Sequence, residues 1–297
     1  MADPLPRANH GGAGTAGVAG GYVTVPDTDQ ALDGLDRTAR AVGNGEHQPG
    51  IFVWRMRRAL VFTRREARLP GFARAASPMA SSGWPVSVRG SGGGACAVGP
   101  GTVQIALVFP RPRDGVSLDS VYHALATPIL ITISEFGVKA EIARVPRSFC
   151  SGRYDIAVEG RKIAGLAQQW HGPAGRGGYV IAAASVIIDE DPAELAAAIN
   201  SFADICDGVQ RCSAGAITAL AREAREMGNG TDLPSQFSVR LRNTAAATSF
   251  SFAAGLGRQS QIDPDQHRRA HPVSGLRTLR NIRSGRQVAS IVRGEPA

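Results

Sequence analysis

The chain has 297 residues, 43% of them hydrophobic, with a formal charge of +8 at neutral pH, which reads as a soluble globular protein with ample material for a core. Four cysteines, Cys96, Cys150, Cys206 and Cys212, form no CxxC pair and cluster with no histidines, which argues against a zinc module or a disulfide scaffold. The longest apolar run, Tyr179 to Ile188, falls far short of the roughly 20 residues that span a membrane.

The charge is uneven. From Pro234 onward ten arginines face Asp263, Asp265 and Glu295, a net of +7 that leaves +1 for everything before. Residues 1–26 are rich in Gly, Ala and Pro without periodicity and lack the apolar core of a signal peptide, so a disordered segment, a cytoplasmic location and reduced thiols are expected. A folded domain is expected over 27–230. Over 231–297 the apolar periodicity gives way to Arg, Ser, Gly and Gln, which predicts a disordered basic tail, with nucleic-acid binding not expected of it.

Asp27 is placed to cap a helix through Ala41, with Ala31, Leu32, Leu35 and Ala39 as its apolar stripe. Ile51–Trp54 and Ala59–Phe62 are short strand candidates, and the charged run from Arg64 to Arg74 reads as a solvated face broken at Pro70 and Gly71. A strand over Val86–Arg89 feeds Gly90, Ser91, Gly92, Gly93, Gly94 and Ala95, and a second strand follows at Val103–Phe109. These glycines remove Cβ atoms where a ligand would lie against backbone, but the turn is neither a P-loop nor a dinucleotide fingerprint. Cys96 reads as a small apolar strand residue.

Apolar residues at three and four residue steps predict a helix over Ser117–Phe136, interrupted by Pro128, with His123 off the stripe. Lys139–Ala143 is an edge-strand candidate, and Tyr179–Ile188 reads as a strand buried on both faces. Helices are expected from Pro192 to Cys206 and from Ser213 to Met227. His171 falls in a Gly and Pro turn, in solvent.

The chemistry concentrates in Arg147 to Gln169. Tyr154, Ile156 and Val158 alternate with Asp155 and Ala157, Glu159 and Gly160 make a turn, and Arg161–Gln169 returns, so a hairpin is predicted. Of 33 Lys plus Arg only Lys139 and Lys162 are lysines, which marks Lys162 as a place where a compact ammonium is wanted. The hairpin sets Val158 opposite Arg161, Ala157 opposite Lys162 and Asp155 opposite Ala164, so Lys162 and Asp155 share a face. A straight strand would carry Cys150 more than roughly 20 Å from Lys162, so the two can serve one reaction only if Ser148–Gly152 curls back over the Lys162 face, with Gly152 as the permissive residue and Ala157 and Ala164 leaving room there.

Gly152 to Gly165, with its Tyr-Asp strand, Gly-Arg-Lys and small Gly step, resembles lipoate ligases and octanoyl or lipoyl transferases. So does Arg89 followed by Ser91-Gly92-Gly93-Gly94-Ala95. Phe149-Cys150, then Gly152-Arg153-Tyr154-Asp155, resembles more narrowly the cysteine-dependent octanoyl transferases. Departures are Cys96 to Gly101 and Gln104 where ligases carry a His-Asp pair and a later Asn, and Ala183 where parts of the family carry His. The resemblance covers about Ile51 to Arg222 and implies an α/β domain whose mixed, mainly antiparallel sheet is flanked by helices. It implies Cys150 as acyl-carrying nucleophile and Lys162 as acyl-binding cation, with Arg89, Ser91, Gly92, Gly93, Gly94, Ala95, Asp155 and Gly165 binding substrate and no metal. The donor would be acyl carrier protein or glycine cleavage H protein, and the acceptor a lipoyl domain of a 2-oxoacid dehydrogenase. Transfer would need no cofactor. The alternatives are an ATP-dependent ligase, using ATP and free lipoate, and a non-catalytic relative that binds acyl groups or lipoyl domains.

Overall fold

The computed structural model describes residues 22–24, 27–175, 177–224 and 232–259. In chain order the elements are β1 (Tyr22–Thr24), α1 (Thr28–Gly43), β2 (Gly50–Arg55), β3 (Ala59–Thr63), a short 3-10 turn (Glu66–Arg68), α2 (Phe72–Ser81), β4 (Val86–Arg89), β5 (Cys96–Val98) and β6 (Thr102–Pro110). There follow α3 (Leu118–Ser134), β7 (Glu141–Ile142), β8 (Ile156–Val158), β9 (Arg161–His171), β10 (Tyr179–Ile187), α4 (Pro192–Ile205), a second 3-10 turn (Ala214–Ala216), α5 (Leu220–Glu223) and α6 (Leu233–Gln259).

Helix starts follow local chemistry. Asp27 accepts the Asp29 and Gln30 amides at the head of α1, Ser117 and Ser120 form a capping box on α3, and Asp191 caps α4 ahead of Pro192. Each cap satisfies amides that have no intrahelical acceptor.

Seven strands form the main sheet in the order β1-β2-β6-β10-β9-β8-β7, antiparallel except for the parallel β1–β2 pair. A second sheet runs β4-β3-β5. The expected mixed, mainly antiparallel architecture with flanking helices is thus the one observed. Burial explains why the central strands read as unbroken apolar runs. Ala106, Val108 and Ile181 join the core under α1, α2, α4 and the small sheet, while Ile105, Leu107, Val180 and Ala182 join a second core under α3 and α6. Among the described residues no helix is long and apolar enough to cross a membrane.

Three expectations need correction. The expected disordered tail over 231–297 is helical in its first part, because α6 is folded onto the domain: Leu233, Phe237, Leu241 and Ala245 are buried at every fourth residue, and Phe237 stacks on Phe136 at 5.9 Å. That stripe is narrow, and the polar residues around it hid it. Tyr22–Thr24, expected within the disordered N-terminal segment, is a strand that pairs with β2; residues 1–21 and 260–297 lie outside the described residues, and with them most of both expected disordered segments. No long helix starts at Ser213. The Ser213 amide donates to Arg147 O and the Thr218 amide to Lys162 O, both at 2.8 Å, and Ile217 bridges to Lys162. These bonds draw the segment against the sheet and leave only four helical residues in α5. The sequence reading also passed over α2, and of β5 it placed only Cys96 in a strand.

Candidate active site

The hairpin positions the lysine. Glu159 and Gly160 both have positive φ, 49° and 75°, the turn whose twist matches paired strands. Val158 faces Arg161 and Ala157 faces Lys162 as expected, but a bulge between Ile156 and Ala157 puts Ile156, not Asp155, opposite Ala164. Asp155 is released from the ladder and forms an ion pair with Lys162 Nζ at 2.9 Å, each side chain 1% exposed. Nζ also donates to Phe149 O at 3.0 Å and Cys150 O at 2.9 Å. Burial pushes the Asp155 carboxyl up, while the Lys162 ammonium and the Gly152 amide, which donates to its other oxygen at 2.9 Å, pull it back.

The cysteine loop does curl back over Lys162, but Gly152 is not the residue that turns it. Arg147 and Cys150 carry the left-handed backbone, at φ 63° and 45°. A non-glycine residue there is strained and persists because its surroundings hold it. The two Lys162 bonds to Phe149 O and Cys150 O are that hold, with Ser148 and Ser151 both donating to Val145 O.

The glycine loop meets the same sulfur from the other side. The Gly94 amide donates to Cys150 Sγ at 3.2 Å, and Arg89 Nη2 points at it from 3.3 Å while also donating to Gly94 O at 2.8 Å and Gly92 O at 3.2 Å. Arg89 Nη1 donates to Cys96 Sγ at 2.9 Å. Burial opposes the Arg89 charge, yet the two facing sulfurs raise its pKa above the ordinary value. Gly93 has φ 106°, and a Cβ there would fall 2.6 Å from Cys150 Sγ, so no other residue fits. Gly92 faces open space, and Ser91 lines the cavity described below. A Cβ on Gly165 would press on Lys162 Cε and Nζ at 3.0 Å.

Ala95 leads to a residue the sequence reading missed. Its amide donates to Glu66 Oε1 at 2.9 Å, while Glu66 Oε2 accepts from the Thr63 amide at 3.0 Å and the Thr63 hydroxyl at 2.9 Å. Glu66 is 3% exposed and fastens the glycine loop to the end of β3. It was read as part of a solvated charge run. The readable signal was Thr63-x-x-Glu66, the spacing of a capping box.

A cavity of about 180 Å³ opens beside the sulfur. Ile181, Ala183, Ser185 and Ile187, alternate residues of β10, line it with Gly165 and Ala167 of β9, facing Val61 and Val98 of the small sheet and Leu32 and Leu35 of α1. It exceeds the roughly 150 Å³ of an engineered apolar cavity that admits benzene. Ala157 and Ala164, expected to leave room here, are fully buried in the packing and do not line it. His171 is the last residue of β9, not a turn residue, and contacts Gln169 and Tyr179. His123 is exposed on α3, at the edge of Tyr154. Among the described residues no group of three or more His, Cys, Asp or Glu is placed to hold a metal.

Of the residues singled out by sequence, Cys150, Lys162, Asp155, Gly165, Arg89 and the Ser91–Ala95 loop therefore converge on one site. Residues 27–229 match the model of the lipoyl protein ligase A/B catalytic domain. The chain belongs to this family. It is 33% identical over 221 residues to an octanoyl-[GcvH]:protein N-octanoyltransferase of Kyrpidia tusciae, covering 72% of this chain and 73% of that relative. A relative of the same name from Anoxybacillus flavithermus is 30% identical over 48% of this chain and 51% of its own, so there the chain spans about half of the relative's length. A crystal structure described as lipoate-protein ligase A bound with ATP superposes with a TM-score of 0.56 at 14% identity, covering 78% of this chain and 93% of the other, which shows the shared fold.

Proposed function

We propose that Cys150 carries an octanoyl or lipoyl group as a thioester and passes it to a lysine of a lipoyl-type acceptor protein. The chain is an enzyme of octanoyl and lipoyl transfer, and the observation that carries the finer reading is the seat of Cys150 Sγ, between the Gly94 amide and the Arg89 guanidinium at the mouth of a largely apolar cavity. A thiolate, not a thiol, is the nucleophile, and the Arg89 guanidinium and the Gly94 amide are the groups that meet the sulfur.

In the first half-reaction the Cys150 thiolate attacks the carbonyl carbon of the carrier-bound acyl group, a thioester or a lysine amide; the bond from that carbon to the carrier's sulfur or nitrogen breaks, and the carrier leaves as a thiolate or, taking up a proton from solvent, as an amine. In the second, the neutral amine of the acceptor lysine attacks the acyl-enzyme, an amide forms, and Cys150 departs as thiolate while the amine proton passes to solvent. Arg89 and the Gly94 amide, which hold the sulfur, lie within reach of the oxygen that gains charge in each step. Lys162 keeps the cysteine loop folded and lines the cavity beside the acyl carbonyl. Because the acyl group is exchanged from one carrier bond to another through the thioester, the reading requires no ATP. The relatives' names favour an octanoylated glycine cleavage H protein as donor.

The test is intact mass spectrometry of the protein mixed with octanoylated H protein without ATP. The expected result is one added octanoyl group, released by hydroxylamine and absent from Cys150→Ala. Full transfer by Cys150→Ala together with dependence on ATP would sink the reading in favour of a ligase.

A further inference from the structure

The cavity floor is not uniformly apolar. Trp54 of β2, Gln104 of β6, Ser185 of β10 and Gly165 of β9 are successive cross-strand partners, so they form one row on one face of the sheet, and all four line the cavity. The row begins at Gly165, against the Lys162 ammonium, and ends at Trp54.

Its polar groups are largely unused. The Gln104 amide spends one N–H on Thr102 Oγ1 at 2.9 Å, and its carbonyl oxygen and second N–H have no side-chain partner among the described residues. Nor does the Ser185 hydroxyl. The Trp54 indole N–H is buried without an acceptor. Three neighbouring polar side chains left unmatched beside a cavity that an apolar chain would fill is an arrangement that disfavours a plain hydrocarbon, because burying unmatched polar groups is unfavourable. A ligand with a hydrogen-bonding atom at the right depth turns the same groups into a recognition element.

Depth follows from strand spacing. Adjacent strands lie about 4.8 Å apart, so Gln104, two strands from Gly165, sits roughly 10 Å along the row from the lysine end. That is comparable to the length of an extended eight-carbon acyl chain whose carbonyl lies by Cys150 and Lys162.

We propose that this row selects acyl chains bearing a hydrogen-bonding heteroatom, a ring sulfur or a hydroxyl, in their distal half over the plain saturated chain of equal length. This rests on the acyl-binding reading above and names its substrate class: Ser185 and Gln104 are specificity-determining residues, with Trp54 closing the row.

The test separates pocket selectivity from catalysis by using full-length Cys150→Ala protein and titration calorimetry with three probes: octanoic acid, lipoic acid and 8-hydroxyoctanoic acid. One or both heteroatom-bearing acids should bind at least about tenfold tighter than octanoic acid, which is about 1.4 kcal/mol. Tight lipoic acid with weak hydroxy acid assigns the row to sulfur, and the reverse assigns it to oxygen. Ser185→Ala, and separately Gln104→Leu, should shrink the preference severalfold, mainly by tightening octanoic acid, an effect that general loosening of the fold does not produce. The proposal is overturned by octanoic acid binding as tightly as both others, by no acid binding at all, or by variants that weaken all three alike. If selective binding stands but wild-type Cys150 takes no acyl group from thioesters of these acids, the transferase reading fails and the pocket assignment survives.

Discussion

Lys162 and Asp155 are almost wholly removed from water, and each compensates the other's desolvation. Removing one partner strands a buried charge, so Asp155→Ala is expected to lower stability by about 3 kcal/mol, and the double variant Asp155→Ala, Lys162→Met should recover much of that loss in denaturant unfolding. A double-variant loss equal to the sum of the losses in Asp155→Ala and Lys162→Met would show that the pair is not coupled. Lys162→Arg is not conservative, because Gly165 already stands against Cε and Nζ and a planar fork cannot reproduce three bonds from one nitrogen; acyl transfer should fall at least about tenfold. Glu66→Gln should impair transfer nearly as much as Glu66→Ala with the fold retained, since the Ala95 and Thr63 amides need two acceptor oxygens and glutamine has one. Wild-type kinetics in Glu66→Gln would remove Glu66 from the positioning of the glycine loop. Burial pushes the Cys96 thiol up and that of Cys212 to about 11, so near neutral pH both stay protonated and unreactive. Brief iodoacetamide treatment of the native protein at pH 7.5 should therefore label Cys150 first, and peptide mapping that found Cys96 or Cys212 labelled as fast would contradict this seating of the thiols.

At the scale of elements, α6 contributes more than its composition suggests. Phe237 is fully buried, meets Phe136 and shares a core with α3, so Phe237→Ala should cost about 3 to 5 kcal/mol. Ending the chain at 231 should yield insoluble protein, the reverse of what a disordered tail predicts, and a soluble, fully folded truncation would show that the domain folds without α6. What was legible in the sequence was what local physics decides. The caps of α1, α3 and α4, the apolar runs of β6 and β10, and the Glu159–Gly160 turn each carry their cause within a few residues. Less legible was whatever depends on distant partners. Ser213–Glu223 has helix-compatible composition, yet its amides are claimed by Arg147 O and Lys162 O from elsewhere in the chain. The bulge that frees Asp155 cannot be read from alternation alone, because Ile156 and Ala157 look like ordinary strand residues. Glu66 sits among arginines and differs from a surface acid only through its contact with Ala95, 29 residues on.

At the scale of the whole molecule, two segments distant in sequence are brought to one sulfur. β4 and β5 of the small sheet hold the ends of the glycine loop, and β8 and β9 of the large sheet hold Lys162 and, through it, the cysteine loop. The cavity lies between the two sheets under α1, so an acyl chain bound there is enclosed by both while its carbonyl stays at the mouth. This arrangement suits covalent relay, since the acyl chain need not leave its cavity while carrier and acceptor exchange outside. The most direct measurement is therefore a pulse and chase. Wild-type protein is loaded from carrier thioester bearing a carbon-13 acyl group, quenched in acid, and the label is mapped to peptide; it is then chased with unlabelled donor and a lipoyl-domain acceptor. The label is predicted on Cys150 alone, moving to the acceptor lysine at least as fast as steady-state turnover. Label that never reaches Cys150, or that leaves it more slowly than product forms, would contradict a cysteine-borne acyl intermediate.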